Sequence, residues 1–208
     1  MPTLMPDPKI YDQLESYVHD RCSEWFQEAR KRLPQLPDTI TINIDTSWIV
    51  PGTASGGFTP SSSAITVAYD PFFKTSLEAK EKSLKASVFH ESFHVAQGFT
   101  GEQRTAAPLT EAVQEGAATV FEMLRVGTRP DWGNYPVSIN EWFQEVMQLP
   151  LDYDRTKWKF YDPVGDRKWV LYRVGTYIVS TALQKNAHLS IESLATKQPE
   201  EILQLSGL

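Results

Sequence analysis

Val88-Phe89-His90-Glu91-Ser92-Phe93-His94 carries the pattern H-E-x-x-H, and the rest of the chain is read around it. On a helix, two histidines four apart stand one above the other on one face, close enough to share a metal ion. Glu91 is offset toward the substrate side, where a carboxylate can take a proton from the attacking water. Neutral imidazoles suit zinc, with a third protein ligand to follow and a fourth position left open. The chain has four histidines in all, so two of them at this spacing around a glutamate are poorly explained as a surface accident. The expectation is one Zn2+ per chain, held in part by His90 and His94.

Working outward, Thr75-Ser-Leu-Glu78 has capping-box spacing and predicts the start of the motif helix, and Gly98 and Gly101 are candidates to end it. Upstream, Thr39-Ile-Thr-Ile-Asn-Ile-Asp45 and Ala64-Ile-Thr-Val-Ala-Tyr69 alternate strictly. Each predicts a half-buried strand, the two paired as a long-looped hairpin or joined in a small sheet. Between them lies a loop with Gly52, Gly56, Gly57 and Pro60, either a cover for a cleft or a plain connection. Ile10, Leu14, Val18, Cys22 and Phe26 recur at helical spacing and predict an amphipathic helix from about Pro8 to Leu33, ended by Pro34 and Pro37. His19 on that helix has polar neighbours and reads as solvated.

Downstream, Pro108 suits a first helical turn, and a helix runs from it to about Arg125. Residues 127–135 are loop, and Ser138-x-x-Glu141 predicts a short helix through Met147. Residues 151–166 are aromatic and charged without clear period, which predicts irregular structure packed over the helices. A helix from about Arg167 to Lys185 and two short ones, near Ser190 and behind Pro199, close the chain. The expectation is one compact unit over 1–208: an N-terminal helix in 1–37, a small sheet with the metal helix in 38–101, and a helical lobe in 102–208. The fold class is α+β, mainly helical, with a small antiparallel or mixed sheet beside the H-E-x-x-H helix.

Composition narrows the function classes. With 208 residues, 41% of them hydrophobic and 12% aromatic, the chain can bury one good core or two lobes sharing a cleft. A net charge of −6 and the lack of a long basic run argue against nucleic-acid or anionic-membrane partners. The start shows no basic segment followed by an apolar one, and no apolar stretch is long enough to span a bilayer. One cysteine, Cys22, excludes an internal disulfide and suits a reducing compartment. These features together predict a cytoplasmic protein.

The helix after the motif reads Pro108-Leu-Thr-Glu-Ala-Val-Gln-Glu-Gly-Ala-Ala-Thr-Val-Phe-Glu-Met-Leu124. Its apolar stripe is Leu109, Val113, Ala117, Val120, Phe121 and Leu124, while Glu111, Glu115 and Glu122 point the other way. Such an acidic face is ordinarily solvated. Ala112, Gly116 and Thr119, however, form a ridge of small side chains that would let another helix approach closely. If the metal helix packs there, Glu115 reaches the metal. Glu111, one turn earlier, competes with it, and spacing alone does not separate the two.

H-E-x-x-H followed by Glu115-Gly116-Ala117-Ala118 on a second helix resembles the gluzincin type of zinc peptidase, of the MA clan. The arrangement is similar to compact families described as predicted zinc-dependent proteases, over roughly Ile40 to the C-terminus. Tyr172-Arg-Val-Gly175-Thr-Tyr-Ile-Val179 resembles the Tyr-x-x-Gly helix of those families, and the two closing helices match their ending. The resemblance favours Glu115 over Glu111 as third ligand and implies a zinc-dependent metallopeptidase with Glu91 as general base. It also makes Tyr172 the candidate to stabilise charge on the carbonyl oxygen, ahead of Arg173 and His188. The sequence departs from the larger, well-studied gluzincins, which carry extra C-terminal domains not read here. The implied partner is a peptide or unfolded protein, held by pairing with an exposed strand edge. Two other readings compete: a structural or regulatory metal-binding domain without peptidase activity, and a helical interaction module without metal.

Overall fold

The computed structural model describes residues 8–50, 52–101 and 107–208. Helix α1 (Pro8–Arg30) follows the predicted periodicity from Leu14 on and buries Val18, Cys22, Trp25, Phe26 and Ala29, while the side chain of Ile10 lies outside what the structure describes. Leu33 and Leu36 continue its apolar seam after the last turn. His19 is half exposed on this helix, as read.

Strands β1 (Thr41–Asp45), β2 (Ser55–Ser61) and β3 (Ala64–Tyr69) form one mixed sheet in the order β1-β3-β2. Of the two arrangements expected for the alternating segments, the small sheet is formed and not the hairpin: β1 runs parallel to β3, from Thr41 opposite Ala64 to Asp45 opposite Ala68. The tight hairpin joins β2 to β3, with Ser55 opposite Tyr69 and an irregularity between Phe58 and Ser61. Sequence reading took β2 for loop because Gly56, Gly57 and Pro60 have poor strand propensity. Pro60 is tolerated because β2 is an edge strand. Gly57 has a local reason, since a Cβ there would come within 2.5 Å of the Glu91 side chain.

Helix α2 (Leu77–Gln97) carries the motif. Its N-cap is Ser76, whose hydroxyl accepts from the Ala79 N–H at 3.2 Å, so the start lies one residue beyond the capping box read at Thr75. Gly98, at φ 69°, ends it as predicted. From Val88 to Val95 every side chain is buried, including His90, Glu91, Ser92 and His94. Burying four such groups is costly unless each finds a partner. The function of this helix follows from which partners they find.

Helix α3 (Pro108–Val126) packs on α2 and on α6 (Val170–Lys185). The small ridge receives α6 rather than the metal helix: a Cβ on Gly116 would lie 2.0 Å from the Gly175 carbonyl carbon, and one on Gly175 would lie 1.7 Å from the Ala112 oxygen. Nor is the acidic face solvated, since Glu111, Glu115 and Glu122 are each 2% exposed. Helix α4 (Ile139–Met147) starts at Ser138 without a side-chain cap bond. The stretch read as irregular contains α5 (Arg155–Lys159) and the two-residue strand β4 (Tyr161–Asp162), which pairs antiparallel with β5 (Arg167–Lys168). Helices α7 (Ile191–Leu194) and α8 (Pro199–Ser206) end the chain. The fold is α+β, and no helix among the described residues is long and apolar enough to cross a membrane.

Candidate metal centre

Three donor atoms converge where α2 meets α3. His90 Nε2 and His94 Nε2 are 3.1 Å apart, and Glu115 Oε2 lies 3.3 Å from the first and 3.2 Å from the second. All three residues are buried. An ion bound tetrahedrally at about 2.0–2.1 Å keeps its ligand atoms roughly 3.3 Å apart, so this triangle fits zinc in both size and donor type.

The far side of each donor is tied down as well. His90 Nδ1 is 3.3 Å from Glu122 Oε2, and His94 Nδ1 is 3.3 Å from Gln97 Oε1. Each ring can therefore donate its Nδ1 proton outward and turn its Nε2 lone pair inward, the arrangement that orients metal-binding histidines. Glu115 Oε1 accepts from Lys159 Nζ, which leaves Oε2 to face the imidazoles.

Burial opposes charge on His90, yet its hydrogen bonds to Glu115 and Glu122 prevail and raise its pKa to about 10. Burial pushes the Glu122 carboxyl up, against the pull of His90. Burial would raise Glu115 too, but the Lys159 ammonium and His94 hold it well below the usual carboxylate range. A metal binding here competes with a proton for His90.

Glu111 is not in the cluster. Arg155 Nη2 at 2.5 Å, Tyr153 Oη at 2.6 Å and Lys159 Nζ at 3.2 Å occupy its two oxygens. Lys159 thus bridges both glutamates from α5, and it is 6% exposed.

The cluster opens on a cavity of about 970 Å³. It is lined by one face of α2 from Ala79 to His94, by β2 and the loop before it, and by residues 127–132. Glu91 lines this cavity, and the Thr59 hydroxyl lies 2.7 Å from its Oε2 and 3.1 Å from its backbone oxygen. Tyr172 lines it too, its ring centroid 6.3 Å from that of His90. Arg173 and His188 are not among its lining residues, and His188 is exposed in the turn after α6.

Four contributors escaped the sequence reading. Glu122 carried a usable signal, since it lies two turns beyond Glu115 and so on the same helix face. Gln97 lies one turn after His94, a weaker signal of the same kind. Thr59 was hidden in a stretch read as loop. Lys159 sits in the segment without period, where no sequence pattern pointed to it.

The profile of a family described as "Predicted Zn-dependent protease (DUF2268)" matches residues 18–204. No curated protein and no solved structure matches the chain. The family match spans α2, α3 and α6 together, with every residue of the His90–His94–Glu115 cluster inside it. By this match the chain belongs to the family of predicted Zn-dependent proteases.

Proposed function

We propose that this chain is a gluzincin-like metallopeptidase that hydrolyses peptide bonds with one zinc ion held by His90, His94 and Glu115. The observation that carries this reading is the triangle of donor atoms, 3.1 to 3.3 Å on a side, opening on the same cavity as Glu91. When bound, zinc supplies a Lewis acid that activates water and polarises a carbonyl group.

The chain's own residues divide the remaining work. Glu91 takes the proton from the attacking water and delivers it to the leaving amine. Thr59 holds one of its oxygens, which fixes the carboxylate without neutralising it. Tyr172 faces the site from α6 and stabilises the negative charge that develops on the carbonyl oxygen. Lys159, Glu122 and Gln97 hold the ligands in place.

The extent of the cavity's lining supports a peptide substrate. The α2 residues that line it, from Ala79 to His94, span roughly 22 Å along the helix, the length of about six extended residues. Ser55, Gly56, Gly57 and Phe58 of edge strand β2 line it. A peptide can add to that edge by main-chain hydrogen bonds, a mode that accepts unfolded segments of varied sequence. A site that only stabilised the fold would have no use for a buried carboxylate beside an open cavity.

The test is hydrolysis of a mixed peptide library by wild type and Glu91→Gln, each with its zinc content measured. The expected result is about one zinc per chain in both proteins and cleavage by wild type alone. Equal cleavage by the variant removes Glu91 from its role. A zinc-loaded wild type that cleaves nothing points to a metal-binding regulatory domain.

A further inference from the structure

Beside the metal cluster, four aromatic rings from three separate segments meet at one end of the cavity. Trp132 comes from the 3-10 turn Asp131–Gly133, Phe160 and Trp169 flank the β4–β5 hairpin, and Tyr172 lies in the first turn of α6. Trp169 is the hub, with ring centroids 5.6 Å from Trp132, 5.8 Å from Phe160 and 5.9 Å from Tyr172. All four line the cavity, with Trp169 buried beneath the set at 9% exposure and Phe160 at its open side. Aromatic side chains gathered on a cavity wall beside a cluster of donor atoms are the lining of a ligand pocket.

The backbone is strained to build this wall. Trp169 is left-handed at φ 61°, a conformation that bulky residues avoid, and its N–H donates to the Phe160 oxygen at 3.1 Å. This bond closes the hairpin, and the left-handed turn sends the chain into α6. Asp162 holds the hairpin from within, accepting from Arg167 Nη2 at 2.9 Å and from the Val164 N–H at 3.1 Å. At the opposite side, Gly133 lets the Trp132 turn press on α3, because a Cβ there would lie 2.5 Å from Met123 Sδ.

The charged group beside Tyr172 is balanced within itself. Lys159 Nζ lies 5.4 Å from the Tyr172 ring centroid and is already paired with Glu111 and Glu115. Arg155 completes a group of two cations and two carboxylates. Such a neutral set offers no net attraction to a charged side chain, and desolvating a carboxylate against the rings would be unfavourable.

We infer that the Trp132–Phe160–Trp169–Tyr172 wall is the subsite for a bulky apolar side chain, aromatic or branched aliphatic, next to the bond to be cleaved. The inference rests on the hydrolytic reading above and names the substrate class it acts on. An aromatic residue would add its ring edge to face on the existing set, and a small or charged one would leave the wall wet.

Two measurements separate this subsite from the chemistry. The first is kcat/KM on peptides that differ only at the positions flanking the cleaved bond, carrying Phe, Leu, Ala, Asp or Lys. The second is binding of amino-acid hydroxamates with Phe, Ala, Asp and Lys side chains to zinc-loaded Glu91→Gln, read by tryptophan fluorescence. The expected preference for Phe over Ala is at least about tenfold in both. It should fall several-fold in Trp132→Ala and in Phe160→Ala. Phe160 is 45% exposed, so its truncation leaves the core intact.

Selective binding without cleavage would keep the subsite and remove the peptidase. Cleavage without side-chain preference would do the reverse. Equal binding of all four hydroxamates, no binding of any, or a preference untouched by both substitutions overturns the subsite.

Discussion

Lys159 reaches from α5 to Glu115 on α3 and holds the one carboxylate oxygen that does not face the histidines. A buried lysine is costly. Here it offsets two buried carboxylates at once, Glu115 and Glu111, and it would deny a bound metal a second oxygen from Glu115. Replacing Lys159 with Met would strand Oε1 of Glu115, while Glu111 keeps Arg155 and Tyr153. The expected cost is about 3–5 kcal/mol of stability, seen as a lower Tm, with zinc affinity reduced by an order of magnitude or more. An unchanged Tm would mean that the charges rearrange without loss.

Glu122 orients His90 from behind, at 3.3 Å from Nδ1. Glu122→Gln keeps shape and an accepting oxygen but removes the charge. The expected effect is zinc affinity about 10–100-fold weaker, measured by competition with a chelating dye, with the far-UV circular dichroism of wild type. An unaltered zinc affinity would make Glu122 a packing residue.

Gly57 leaves room for Glu91 at the wall of the cavity. Gly57→Ala should push the carboxylate aside without touching a ligand. Hydrolysis should fall about 10²-fold or more, within the range of a lost general base, while zinc content stays at the wild-type level. If zinc is lost in parallel, the strand and the metal site are not separable in this way.

Asp162 carries the pH dependence of the aromatic hairpin. Burial would raise its pKa, but Arg167 and two backbone N–H groups lower it to about 2 from an ordinary value of 3.8. With the folded pKa below the unfolded one, its contribution is complete above pH 3.8 and is lost as pH falls through 2. Between those limits, wild type should lose stability more steeply than Asp162→Asn, which lacks this ionisation. Parallel denaturant midpoints for the two proteins across that window would contradict the assignment.

Much of this was legible in the residues, and the failures have physical causes. His90, Glu91 and His94 were readable because a helix turns a four-residue spacing into one face. Gly98 and Pro108 marked helix ends through backbone properties that act locally. Glu115 became distinct from Glu111 only through the family resemblance, because both lie on one face and their partners come from distant segments. Strand β2 was missed because Gly57 answers to Glu91 on α2 and Gly56 to Trp48 and Val50 of the loop before it, not to strand propensity. The segment holding Lys159 has no period because its residues serve separate partners: Tyr153 and Arg155 reach Glu111, Lys159 reaches both glutamates, and Phe160 faces the cavity.

The crossing of α3 and α6 at Gly116 and Gly175 has a consequence for anyone who would build this centre in miniature. Helix α6 contributes no metal ligand, yet main chain rests on main chain there, one residue from Glu115. A two-helix copy made of α2 and α3 alone would keep every ligand and lose the abutment that sets how far the third one reaches. A transplant therefore needs a third helix besides the two that carry the ligands, chosen for a residue that has no side chain at all.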